Sequence, residues 1–143
     1  MASINIKMAR PKKSSPRYIL EISEAQAKLI SVAAELYARL GTGQFTRLDR
    51  FFLKDFEQAR PHLDALHILR NGSLQSFGSI ASKSIDDDYR VLYDLHQVIR
   101  HRLAWDRNPS RKESIKVDYD TPHCTSKKES LAKVERIYPR RKG

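Results

Sequence analysis

The chain has 143 residues, enough for one hydrophobic core with little left for a second, and its 40% hydrophobic and 31% charged content is that of an ordinary globular sequence. No run approaches the length of a membrane span, the first residues lack the apolar core of a signal peptide, and a lone cysteine, Cys124, excludes an internal disulfide, so a cytoplasmic protein is expected. The net charge of +10 sits at the ends: residues 1–17 hold five Lys and Arg and no acid, residues 109–143 hold ten against five, and twelve of each sign cancel between them. Charge placed in this way implies weak, salt-sensitive nucleic-acid contact through tails, not a basic body.

In chain order, Ile4 to Met8 alternates apolar and polar residues, predicting a short strand over 4–8, and the following ARPKKSSPR reads as a basic linker. Residues 1–17 are thus a strand and linker, 18–138 one globular domain and 139–143 a basic tail. Tyr18, Leu20 and Ile22 share one face of a second strand over 18–22. A Ser23-x-x-Gln26 capping box opens a helix over about 23–40, with Leu29, Ile30, Ala33, Leu36, Tyr37 and Leu40 as its apolar face and Gly41 as its left-handed end. The Gly41-Thr42-Gly43-Gln44 loop lacks the Lys-Ser/Thr ending of a phosphate-binding loop and reads as a helix-to-helix turn.

Phe45, Leu48, Phe52 and Phe56 continue with helical spacing, predicting a second helix over about 45–59 that stops before Pro61. Leu63, Leu66, His67 and Leu69 suggest further turns closed by Asn71-Gly72, and the serine-rich stretch from 72 to 83 reads as a surface loop. The strongest element spans about 85–107, where Ile85, Tyr89, Leu92, His96, Ile99 and Leu103 recur at steps of four and three and Val91, Leu95 and Val98 widen the stripe. Ser84 or Asp86 can cap its start, Asp86, Asp87 and Asp88 suit the positive end of its dipole, and Pro109 ends it. Alternation at Ile115, Val117 and Tyr119 predicts a third strand over 115–119, and Ser130 to Tyr138 reads as a last helical turn or a docking arm. The expected fold is α+β and mainly helical, with three main helices beside a small sheet; the wide apolar side of the third helix argues for a homo-oligomer.

The chemistry-bearing residues are few. No Cys-x-x-Cys or His-x-x-x-His pair accompanies Cys124 and the five histidines, so no metal or cofactor is expected; Asp118-x-Asp120 reads as a solvated turn, and no nucleophile elbow is present. Arg90 and His96 resemble in spacing the Arg-His dyad of HEPN-type ribonucleases, where they would act as charge stabiliser and acid/base, but six positions along a regular helix set them ~120° apart. The stronger candidate is an anion site formed by Arg100, Arg102, Trp105 and Arg107, since guanidinium groups bind phosphate and an indole ring stacks on a base.

The stretches ISEAQAKLISVAAELYARLGTGQF (Ile22 to Phe45) and YDLHQVIRHRLAWDRNP (Tyr93 to Pro109), with the later VDYDTP and SKKESLAKVERI, resemble a family of small proteins encoded by phages and prophages. The resemblance implies a context, not a set of site residues: such proteins inhibit host factors, sequester nucleotide signals of host defence, or coat nucleic acid. The resulting expectation is a non-enzymatic anti-defence protein that binds a nucleotide or cyclic nucleotide, with inhibition of a host protein, nonspecific nucleic-acid binding through the tails, and HEPN-like ribonuclease as the alternatives.

Overall fold

The computed structural model describes residues 16–51, 56–73, 78–110 and 117–138. Among them the architecture is all helical, with α1 (Glu24–Gly41), α2 (Phe56–Asn71) and α3 (Asp87–Arg107) and two 3-10 segments, Phe45–Phe51 and Val117–Tyr119. The expected sheet is therefore a correction. Residues 18–22 adopt no regular structure, with Tyr18 91% and Ile19 96% exposed, and alternation alone supplies no strand to bond to. The third expected strand is instead a 3-10 turn over 117–119, followed by the Asp120 amide donating to the Val117 carbonyl; residues 4–8 and 111–116 lie outside the described residues.

α1 begins as its sequence requires: the Ser23 hydroxyl accepts from the Gln26 amide at 3.2 Å and the Gln26 side chain accepts from the Ser23 amide at 2.8 Å. Its packing face is not the expected one. Ser31, Ala34, Ala38 and Gly41 are the buried residues, a seam of small side chains at steps of three and four that lies against α3. Small side chains let two helices approach closely, and Gly41 shows how closely, because a Cβ there would stand 2.3 Å from the Tyr89 ring. Gly41 therefore serves helix contact, and the left-handed residue of the following turn is Gly43, at φ +85°.

The second helix is also displaced. Phe45–Phe51 tightens into a 3-10 segment and α2 starts only at Phe56, then runs through Pro61 to Asn71. Proline costs one backbone bond but already has a helical φ, and the turns beyond it bury Leu63 and His67, so the helix continues where its sequence suggested a stop. Asn71-Gly72 closes it as expected, with Gly72 at φ +82° and its amide on the Ile68 carbonyl at 2.7 Å. The Asn71 amide ties this end to the Gly43 carbonyl at 2.9 Å.

α3 is capped by Asp86, whose carboxylate accepts from the Asp88 amide at 2.9 Å, and ends before Asn108 and Pro109. One side meets α1 through His96 and its neighbours. A second, polar side is buried as well: Asp87, Arg90, Asp94 and Gln97, at steps of three, four and three, hold two loops to the helix. Asp94 accepts from the Thr125 and Ser126 amides at 2.9 Å and from the Thr125 hydroxyl at 2.7 Å. Asp87 accepts from the Lys127 and Lys128 amides at 2.9 and 3.1 Å and from the Ser126 hydroxyl at 2.7 Å. Gln97 donates to the His123 carbonyl at 3.1 Å, and Arg90 donates to the Ile80 carbonyl at 3.0 Å, to the Ser82 carbonyl and to Asp87. Residues 121–138 form no helix; they cross α3 as an irregular strap pinned by these carboxylates. Apolar burial is sparse by comparison: among the described residues it comprises Ala34, Ala38, Leu63, Ile85, Val98, Ile99 and Ala104.

Two outcomes follow. Gly41→Val should cost about 1–3 kcal/mol by overpacking α1 against Tyr89, read as a lower midpoint in chemical denaturation, with part of the loss recovered in the Tyr89→Ala background. Asp87 is held down to about 2 from its ordinary 3.8, first by the Lys127 amide and then by the Ser126 hydroxyl, with the Lys128 amide and Arg90 adding to the effect. A lowered carboxylate stabilises the fold above its unfolded value and loses that effect as pH falls, so the strap should loosen between 3.8 and about 2. The amide resonances of Lys127 and Lys128 should titrate in that window, and Asp87→Asn should abolish the transition.

Candidate functional site

The last turn of α3, the start of α1 and residues 20–22 and 135–137 line a groove of about 810 Å³. Leu20, Ile22, Ala27, Leu103 and Ile137 give it an apolar lining. Leu20, Ile22 and Ile137 are exposed, at 71%, 38% and 66%. Four carboxylates, Glu21, Glu24, Asp106 and Glu135, stand among this lining against two guanidinium groups, Arg107 and Arg136. Two of these carboxylates have cations just outside the lining, Asp106 bonding Arg102 and Glu135 lying 2.8 Å from Lys133.

Of the four residues expected to bind an anion, only Arg107 lines this groove, and its Nε lies 3.5 Å from Glu24 across it. Arg102 makes a two-pronged bond to Asp106, one turn on, which holds its pKa above the ordinary value. Arg100 and Trp105 contact the 117–119 turn: the Arg100 Nε is 3.4 Å from Asp118, and the Trp105 ring meets Tyr119 edge-on with centroids 5.2 Å apart. Each arginine therefore already faces a carboxylate of its own chain, and a phosphate would have to displace it. Arg100 Nε and His101 Nδ1 are nevertheless buried without a hydrogen bond.

Arg90 and His96 are directed to different partners. Arg90 is 3% exposed and bound to the 80–82 loop and Asp87, whereas His96 Nδ1 lies 3.0 Å from both the hydroxyl and the carbonyl of Ser31 on α1. A carbonyl only accepts, so Nδ1 carries the proton and leaves Nε2 as an acceptor, toward which the Arg100 Nη1 points at 3.5 Å. Burial lowers the His96 pKa despite the opposing pull of Glu35, keeping the ring neutral at physiological pH. These contacts give both residues a structural task.

A smaller cleft of about 240 Å³ lies beside the Gly41 to Gln44 turn, lined by Thr42, Gln44, Ser79 and Tyr93 among others. Arg39 there is held by Glu35 at 2.7 Å and Gln44 at 3.0 Å. Among the described residues no three His, Cys, Asp or Glu side chains gather as metal ligands would, and no helix is long and apolar enough to cross a membrane.

Sequence reasoning placed the interest at the end of α3 and gave no signal for Leu20, Ile22, Glu135 and Ile137, which stand far from it in the chain. It also missed Asp87, Asp94 and Gln97 as a buried set, although their spacing was visible, because charged residues at helical steps ordinarily mark a solvated face. Comparison of the chain with protein-family models, with curated proteins and with solved structures finds no match.

Arg90→Ala removes the cationic partner of buried Asp87 and three donated bonds, and should destabilise the fold by about 3 kcal/mol or more in urea titration. Arg102→Ala, whose side chain is 36% exposed, should change stability by about 1 kcal/mol or less in the same measurement.

Proposed function

We propose that the protein is a non-enzymatic binding protein that captures a segment of a protein partner in the groove at the end of α3. The observation that carries this reading is the composition of the groove: the exposed side chains of Leu20, Ile22 and Ile137 beside Leu103, set among Glu21, Glu24, Asp106 and Glu135. Such a surface favours a short apolar stretch flanked by lysine or arginine and disfavours a free phosphate. Following the resemblance to phage-encoded proteins, the partner is a host factor and the outcome of binding is its inhibition.

A second reading keeps the small anionic ligand, of the nucleotide class, at Arg100 and Trp105. It is favoured by two buried nitrogens without hydrogen bonds, Arg100 Nε and His101 Nδ1, next to an indole ring. A ligand there must compete with Asp118 for Arg100.

Calorimetry separates the two. A ~10-residue leucine-and-lysine peptide should bind with a dissociation constant on the order of micromolar, and Leu103→Asp should weaken it at least about tenfold while a glutamate-substituted peptide fails to bind. A linear or cyclic nucleotide that binds the parent protein, and loses about tenfold or more in affinity on Arg100→Ala, would replace the groove reading with the anion site. No binding of the cationic peptide by the parent protein overturns the groove reading.

A further inference from the structure

We infer that the cleft beside the turn from Gly41 to Gln44 is a binding site for a small organic carboxylate with a short apolar or aromatic body. Its lining shares no residue with the groove at the end of α3, so the two sites stand or fall separately.

The walls of this cleft are fixed from several sides. The Gly78 amide donates to the Thr42 carbonyl at 2.7 Å and the buried Arg90 donates to the Ile80 carbonyl at 3.0 Å, which holds the 78–80 loop against the end of α1. The Gln44 side chain is held at both atoms, its Oε1 accepting from Arg39 Nη1 at 3.0 Å and its Nε2 donating to the Thr42 hydroxyl at 3.1 Å. Arg39 is held in turn by Glu35, through its Nε at 2.7 Å. The space between these walls, about 240 Å³, has room for about eight waters. Side chains already ordered in this way lose little entropy when a ligand enters.

The chemistry of the ligand follows from which hydrogen-bonding groups are already used. The carbonyls at the end of α1 and in the turn are taken: Ala38 and Arg39 accept from the Thr42 amide, Leu40 from the Gly43 amide, Gly41 from Arg70, Thr42 from the Gly78 amide and Gly43 from Asn71. On the facing loop the Ser79 carbonyl accepts from the Ser82 amide and the Ile80 carbonyl from Arg90. The donors are not used up. Among the described residues, Arg39 Nη2, the second N–H of Gln44 Nε2 and the hydroxyl hydrogens of Ser79 and Tyr93 have no acceptor. Spare donors beside engaged acceptors call for a ligand rich in acceptors, and no carboxylate of the described residues lines the cleft to supply them. Arg39 is the cation, and Glu35 offsets part of its charge, which suits one negative charge better than the two of phosphate; a planar carboxylate also matches the guanidinium plane. Ala38, Ile80 and the Tyr93 ring supply apolar wall for the body of the ligand. Benzoate has the size and the charge that these walls require.

Nuclear magnetic resonance of the full chain titrated with sodium benzoate should show saturable shifts of the Thr42, Gln44, Ser79 and Ile80 amides, with a dissociation constant on the order of 0.1 to 1 mM. Benzamide, of the same shape without the charge, should bind at least about tenfold more weakly. Tyr93→Phe removes one donor and keeps the ring, and Arg39→Lys keeps the charge and loses the planar fork; each should weaken benzoate by about fivefold or more while the remaining amide resonances stay in place. Shifts at these amides that do not saturate, benzamide binding as tightly as benzoate, or a folded Tyr93→Phe variant with the parent's affinity each overturns the proposal. Inorganic phosphate that saturates the same amides more tightly than benzoate overturns the assigned class of ligand.

Discussion

Two buried carboxylates organise this molecule. Asp87 and Asp94, on one side of α3, collect four backbone amides and two hydroxyls from Thr125 to Lys128, and between them Arg90 collects the carbonyls of the 80–82 loop. Irregular backbone cannot satisfy its own donors, so a strap laid on a helix needs acceptors placed to meet them. The helix supplies these at its own periodicity. Because ionised oxygens are strong acceptors, the arrangement stabilises the strap through charge-assisted bonds where apolar contact is scarce.

That scarcity shapes the remainder of the structure. Among the described residues three of the seven buried apolar ones are alanines, and the small-residue seam of α1 brings its backbone close to α3 without burying much side-chain area. Leu29, Leu66, Ile68 and Leu69 consequently remain on the surface, with Tyr18 and Ile19 ahead of α1. Exposed apolar side chains gathered on helix faces are a feature of proteins that work in contact with other chains. The groove at the end of α3 draws on this.

The charge distribution bears on the choice of ligand in the same way. The overall excess of positive charge belongs to the ends of the chain, while the arginines of α3 are matched within the body by Glu24, Asp106 and Asp118. A sequence presents Arg100, Arg102 and Arg107 as a cationic cluster; folding presents them as members of ion pairs. Their role depends on whether a ligand competes with those carboxylates, which is a matter of geometry and desolvation.

The sequence by itself determined the local starts and stops: the Ser23 and Gln26 box, the Asp86 cap, the Asn71-Gly72 ending and the limit before Pro109 are all made by residues within a few positions of one another. It also placed the interest at the last turn of α3. Only tertiary structure decided which face of α1 is inside, whether the alternating segment at 18–22 finds a strand to pair with, and that Asp87, Arg90, Asp94 and Gln97 are covered. The physical reason is the same in each case. A periodic pattern states that one side of an element differs from the other, but the free energy of burying either side depends on the partner surface, and here that surface comes from Tyr89 and from a strap some 30 to 40 residues further along the chain.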